Sequence, residues 1–174
     1  MKGHVDLLGP ATAVADELMG IPSFDTPDYS ELFAEEKEMI GKLKKVFLMV
    51  AGAAIQKFGT ELDQHQQLLM AAANILNEVY MAESTILRAE KNAKRFGEDT
   101  QDGQIAMAKL YLYNAVEIVT QNGKEGIISF AEGDEQRMML MGLKRFTKYT
   151  NYPNVIALRN GIAEKLKAAN KYCF

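Results

Sequence analysis

Apolar residues recur at helical spacing along most of this chain. The clearest example lies between about residues 29 and 58, where apolar positions follow one another in steps of three, four and seven. These positions are Phe33, Ile40, Leu43, Phe47, Val50, Ala54 and Phe58. No stretch of strand length alternates between apolar and polar residues. The pattern predicts an amphipathic helix with one side against a core, and it predicts no β-sheet.

Further segments show the same period. A short helix is predicted over residues 10–20, and longer helices over about 64–96, 100–122, 124–149 and 153–169. In the helix over 64–96, the side chains that share one side are Leu69, Ala72, Leu76, Val79, Tyr80, Glu83 and Leu87. Because the loops are short, neighbouring helices should run antiparallel. The expected fold is all-α, an up-and-down bundle of four to five long helices with a short N-terminal helix.

Capping residues and glycines set the predicted helix boundaries. Gly59 is expected at the C-terminus of the first long helix, and residues 60–63 fit a T-x-x-D capping box for the next one. Gly123 is expected to end a helix. Gly133 should break the following helical region, with Asp134 as a new N-cap. For domain organisation, residues 1–28 are expected to be a linker with a short helix, and residues 29–174 a helical domain.

Composition and charge narrow the functional classes. The chain has 174 residues and one cysteine, Cys173, so it holds no intrachain disulfide. The longest strongly apolar stretch, residues 46–55, is much shorter than the ~20 residues of a membrane-spanning helix. No signal peptide is evident, and a cytoplasmic location is expected. Acidic residues dominate positions 1–40 and basic residues dominate after Arg137, which is most simply explained by solvated faces of opposite charge.

The chain lacks the constellations that common enzymatic sites require. A di-iron bundle needs two Glu-x-x-His pairs, yet neither His4 nor His65 has a glutamate three residues before it. Cys173 has no histidine near it in sequence, and no nucleophile elbow or phosphate-binding loop is present. The pI of about 5.5 and the long helices argue against nucleic-acid binding. We therefore assign no catalytic, cofactor-binding or metal-binding residues, and expect no nucleic-acid partner.

A methionine-rich segment with basic residues after it is the candidate interface. Its members are Met138, Met139, Met141, Leu143, Lys144, Arg145, Phe146 and Lys148. Methionine packs adaptably, and basic charge beside an apolar face is typical of an interfacial helix. Three interpretations stay open: plain core filling, a docking surface covered by another domain, and contact with a lipid or acyl chain.

Long strings in the chain resemble one family. AEGDEQRMMLMGLKRFTKY and NVIALRNGIAEKLKAANKYCF resemble the C-terminal extension of bacterial acyl-CoA dehydrogenases of the very-long-chain type. VFLMVAGAAIQKFG and LYLYNAVEIV are similar to earlier helices of that extension. MKGHVDLLGPA is similar to the segment that joins the extension to the catalytic part. The match covers most of the chain from about residue 35 onward.

The resemblance implies a non-catalytic role within a larger flavoprotein. In the family, FAD accepts a hydride from an acyl-CoA whose α-proton a glutamate removes, which is the chemistry of fatty acid β-oxidation. The resemblance implies FAD in the full-length protein and none in this segment. It also implies packing on catalytic domains of the same polypeptide, a homodimer and peripheral membrane contact.

The catalytic glutamate of the family is not found in this segment. It sits in a Tyr-Glu-Gly-Thr-like string, which is missing here. Glu132-Gly133 imitates part of that string, but Asp134 follows it where the family has a small hydroxyl residue. We therefore expect Glu132 to lie at a helix boundary and to have no role as a base.

Two other classes of function remain. A free-standing helical adaptor that binds a protein partner would explain the amphipathic helices equally well. A carboxylate-metal enzyme is the second alternative, and the missing Glu-x-x-His pairs weigh against it.

Overall fold

The described part of the chain forms six α-helices and no strands. The computed structural model describes residues 7–20 and 28–174. Its helices are α1 (Leu8–Met19), α2 (Ala34–Phe58), α3 (Gln66–Phe96), α4 (Glu98–Phe130), α5 (Gly133–Phe146) and α6 (Val155–Ala169), with a short 3₁₀ helix (Gly59–Gln64) between α2 and α3. The predicted all-α helical bundle is confirmed. The predicted boundary at residue 28 adjoins the undescribed residues 21–27 and stays a prediction.

Helices α2, α3 and α4 run antiparallel to their neighbours. On one side, Lys37 of α2 pairs with Glu90 at 2.8 Å, and Lys44 pairs with Glu83 at 2.6 Å. As the residue number rises along α2, the number of its partner on α3 falls, as antiparallel packing requires. Towards α4, the Asn74 and Asn92 amides donate to Asn122 and Gln104 in the same reversed order. Polar contacts at the edges therefore fix the alignment of the three long helices.

The core lies between these helices and is almost entirely apolar. Its fully buried side chains include Leu43, Val46 and Val50 from α2, Ile75 and Ile86 from α3, and Leu112, Val119 and Ile127 from α4. Buried positions on α3 recur at Leu68, Ala71, Ile75, Val79, Ala82, Ile86, Ala89 and Ala93. Burying surface on this scale is the main source of stability in a domain of this length. The core places the outer sides of α3 and α5 in solvent.

The prediction that Gly123 ends a helix is wrong. Helix α4 continues through Gly123 and Gly126 to Phe130, and both glycines are buried. A Cβ atom at Gly123 would lie 2.8 Å from the Leu143 side chain, and one at Gly126 would lie 3.1 Å from Val50. These glycines serve close packing of α5 and α2 against α4. Packing outweighs the ~1 kcal/mol cost of glycine within a helix.

Two of the predicted caps are also wrong, and one is confirmed. Gly59 does stand at the C-terminus of α2, with a φ of 51°. Residues 60–63 form no capping box, because a 3₁₀ helix occupies Gly59–Gln64 and α3 starts only at Gln66. The break near Gly133 exists, but Asp134 lies in the first turn of α5, where it pairs with Arg137 at 3.0 Å. The N-cap is Glu132, one residue before Gly133, whose φ is 58°.

Helix α6 packs loosely against α4. It begins after Asn154, whose side chain accepts a hydrogen bond from the Ala157 amide at 3.0 Å. No residue of α6 is fully buried, and Ile156 is 68% exposed. Lys165 forms an ion pair with Asp102 at the start of α4. Helix α6 is therefore an accessory to the core.

Candidate interaction surfaces

Three of the eight residues of the methionine-rich candidate interface belong to the core of this chain. On α5, Met139, Leu143 and Phe146 are 7%, 4% and 2% exposed and pack in the main cluster. Gly142 lies between them, and a Cβ there would come within 2.8 Å of Leu18 and 3.1 Å of Met49. This side of α5 faces α1, α2 and α4. For these residues the structure favours the core-filling interpretation.

The opposite side of α5 faces solvent. Met138 is 51% exposed and Met141 71% exposed, and Lys144 and Lys148 are exposed beyond them. The eight residues therefore do not form one continuous face. An outer strip of two methionines and two lysines stays available to a partner, and the interface itself remains a prediction.

Arg145 is used inside the molecule, because it anchors α1. Its guanidinium donates to the Glu17 carbonyl at 3.3 Å and lies 3.8 Å from the Glu17 carboxylate. Lys45 of α2 approaches the same carboxylate at 2.7 Å. Both cations also lie over the Phe146 ring, at 5.9 and 5.6 Å from its centre. One acidic side chain thus joins α1 to α2 and α5.

A groove of about 210 Å³ separates α1 from α2 and α5. Apolar side chains line most of it, including Leu18, Met19, Met49, Met138 and Met139. Helix α1 approaches α2 closely beside this groove: a Cβ at residue 52 of α2 would overlap with the Ala11 side chain. The methionines of the groove extend the exposed strip of α5 towards α1 and enlarge the apolar area on this side.

A second apolar surface covers the outer side of α3. Leu69, Leu76, Tyr80 and Leu87 are 37%, 48%, 67% and 52% exposed. We refer to these four residues as the outer row of α3. Helical spacing grouped these four residues with Val79 on one side of the helix, but Val79 is one of the buried residues of α3. Helical spacing showed that α3 has apolar stripes and did not show which stripe faces the core.

The surroundings of Glu90 and Tyr149 shift the pKa of each group. Hydrogen bonds from Lys37 and Lys94 lower the pKa of the Glu90 carboxyl below its usual range. Burial raises the pKa of the Tyr149 phenol, and the nearby carboxylates of Glu36 and Glu35 raise it further. The Tyr149 hydroxyl is buried without a hydrogen-bond partner. Neither group lies beside a nucleophile or a set of metal ligands.

Over residues 7–20 and 28–174, no group of three or more His, Cys, Asp or Glu side chains could hold a metal ion. Glu132 is exposed at the start of α5. His65 stacks on Phe58, with ring centres 3.6 Å apart. Within the same ranges, no helix combines the length and apolar character needed to cross a membrane.

Comparison with known protein families identifies one family, which matches more than half of the chain. The family described as "Acyl-CoA dehydrogenase, C-terminal domain" matches residues 42–145. This chain belongs to that family. The match runs from within α2 into α5 and so covers most of α2 and all of α3 and α4, the three long helices that build the core. Helices α3 and α5, which carry the exposed apolar surfaces, therefore lie almost entirely within the region that matches the family.

Similarity to whole proteins extends beyond those limits. A "Probable acyl-CoA dehydrogenase" of Bacillus subtilis (strain 168) is 32% identical over 172 residues, which is 99% of this chain and 28% of that protein. A crystal structure of acyl-CoA dehydrogenase complexed with FAD from Bacillus anthracis is 33% identical, with a TM-score of 0.88 over 100% of this chain and 28% of that one. The domain thus spans little more than a quarter of these relatives.

Proposed function

We propose that this chain is the non-catalytic C-terminal domain of an FAD-dependent acyl-CoA dehydrogenase of the very-long-chain type, acting in fatty acid β-oxidation. One observation carries the proposal: relatives match nearly the whole chain, yet the chain matches only 28% of each of them. The relatives therefore contain additional sequence about two and a half times as long as this domain. In this account the domain serves assembly of the enzyme.

The chemistry is assigned to the rest of the polypeptide. General-base catalysis needs a bound substrate within hydrogen-bond reach of the base. In this domain Glu132 is an exposed helix N-cap, followed by the left-handed Gly133. The relative from Bacillus anthracis is described as complexed with FAD, which supports FAD as cofactor of the longer protein. Flavin and the catalytic glutamate would then both belong to the part outside this chain.

Packing against the catalytic domains is the proposed role of the exposed strip on α5. Met138 and Met141 are large apolar side chains in solvent, and the methionine-lined groove continues from Met138 towards α1. Flexible methionines suit a surface that must fit another domain. Lys144 and Lys148 would form the polar rim of this contact, or meet anionic lipid if the strip instead lies on a membrane surface.

The size and colour of the native protein test this proposal. An antibody raised against this chain should detect a band about three and a half times heavier than 19.4 kDa in the source cells. The protein purified with that antibody should carry flavin absorbance that bleaches on addition of an acyl-CoA. A native band at 19.4 kDa without flavin would contradict the proposal and leave the free-standing adaptor.

A further inference from the structure

The outer row of α3 is a straight line of apolar side chains. Leu69, Leu76, Tyr80 and Leu87 recur in steps of seven, four and seven, which keeps them within about 40° of arc on an α-helix. The row is about 27 Å long at the helical rise of 1.5 Å per residue. Single exposed apolar residues are common on monomers, whereas a continuous row is characteristic of an interaction surface.

Helix α2 widens this surface. Lys44 points from α2 towards Glu83 of α3, to which it donates a hydrogen bond at 2.6 Å. Leu48, Ala51 and Ile55 lie four, seven and eleven residues beyond Lys44, so they share its side of the helix. All three are only partly buried. The apolar surface therefore spans two adjacent helices and extends beyond the ridge of α3.

Charge is distributed unevenly along this surface. The C-terminal half of α3 carries the exposed cations Lys91 and Lys94 close to the outer row, whereas exposed Glu61 and Asp63 precede its first turn. A parallel neighbour of the same kind would bring cations against cations. An antiparallel neighbour brings the acidic end of each helix to the basic end of the other, twice in the same contact.

The spacing of the row fits the same arrangement. A two-fold axis near residue 78 places Leu69 of one copy opposite Leu87 of the other, and Leu76 opposite Tyr80. The small Ala73 then faces Glu83, where a larger side chain would crowd the carboxylate. Each copy presents the same patch to its partner, as an isologous contact requires.

We propose that the outer row of α3 packs antiparallel against the outer row of a second copy of this chain. This inference rests on the proposed role in assembly and names the surface that would join two enzyme molecules. The self-complementary order of charges is the reason for choosing a second copy as the occupant. Both α2 and α3 contribute to the contact, since a standard interface buries ~800 Å² per partner.

Cysteine cross-linking in the native polypeptide tests the arrangement directly. Leu76→Cys and Tyr80→Cys are made in two differently tagged, co-expressed versions on a cysteine-free background that includes Cys173→Ser. The antiparallel contact predicts a disulfide between residue 76 of one version and residue 80 of the other. Met81→Cys is the matched control, because Met81 is 49% exposed but lies about 100° around the helix from Tyr80.

A dilution series gives an independent readout. Tyr80→Glu should raise the dissociation constant of the dimer at least about tenfold, since it places a charge in the contact, while Met81→Glu should leave it unchanged. Disulfides between two copies of residue 76 would overturn the antiparallel arrangement. A monomeric native polypeptide, or a dimer that forms no 76–80 disulfide, would overturn the inference altogether. Neither result would affect the proposed function, which depends on the size and flavin content of the polypeptide.

Discussion

The two apolar sides of α3 differ in what they contact, although their sequences look alike. The inner side, with Ile75 and Ile86 fully buried, packs against α2 and α4. The outer row carries leucines and a tyrosine of similar size, yet it stands in solvent. Both sides of α3 therefore show apolar residues at helical spacing, although one side forms the core and the other is available for assembly. The difference lies in the neighbours that the fold supplies.

The comparison is tested most strongly by removing one side chain from each side of α3. Ile75→Ala deletes buried methyl groups and should lower the free energy of unfolding by about 2–5 kcal/mol. The adjacent Leu76→Ala, at a position 48% exposed, should change it by less than about 1 kcal/mol. Urea unfolding of both variants provides the measurement. Equal losses would mean that the outer row is part of the core.

Glycines on inner and outer helix surfaces should differ in the same way. Gly123→Val forces a side chain against Leu143 and Val46 and should destabilise the domain by about 1–3 kcal/mol. Gly161→Ala in α6 meets nothing within 4 Å and should raise stability by up to about 1 kcal/mol. Thermal unfolding of the two variants gives the signs. Stabilisation of both variants would mean that Gly123 of α4 is not closely packed against Leu143 and Val46.

Glu90 lies at the boundary between the inner and outer sides of α3. Its ionisation makes a contribution to stability that depends on pH. Its pKa is lowered by Lys37 and Lys94, so its ionised form stabilises the fold above the unfolded pKa of about 4.3. That contribution is lost as the pH falls through the lower folded pKa. Glu90→Gln should therefore cost about 1 kcal/mol at neutral pH, and the difference from wild type should shrink below roughly pH 4. A difference independent of pH would exclude the ionic contribution.

The smallest effect on the domain itself is expected on the outer strip of α5. Reversing charge with Lys144→Glu and Lys148→Glu should change the free energy of unfolding by less than about 0.5 kcal/mol, because both side chains are exposed. If the strip meets lipid, the double variant should float less well with anionic vesicles than wild type. Arg145 is left intact because it holds α1 through Glu17. Unchanged flotation would remove the membrane proposal.

The sequence was sufficient for the fold class and for most of the helices. The repeat of Phe33, Ile40, Leu43 and Val50 indicated α2, and Gly59 indicated its end. Fine boundaries were less predictable, because a glycine such as Gly123 has the same local propensity whether it ends a helix or admits Leu143. Only the neighbouring helix decides between these outcomes, and local sequence does not contain that neighbour.

The candidate surfaces were predicted only in part, for a related reason. Met138 to Lys148 was recognised as an amphipathic segment, but Met139 and Phe146 are buried while Met141 is exposed. Met139 and Phe146 share their side of α5 with Gly142, at which Leu18 of α1 approaches closely. The contact of Arg145 with Glu17 joins residues 128 positions apart and had no local signal. The outer row of α3 could be found only after α2 and α4 had been placed around it.

Labelling of single cysteines in the native polypeptide tests the central claim, that the outer row of α3 is covered in the assembled protein. Tyr80→Cys and Met81→Cys are neighbours on the same helix and are both exposed in the isolated domain, at 67% and 49% for the native side chains. We expect a thiol reagent to modify residue 80 at least about tenfold more slowly than residue 81, and the two rates to converge when the domain is studied alone, at low concentration. Equal rates in the native polypeptide would contradict this claim.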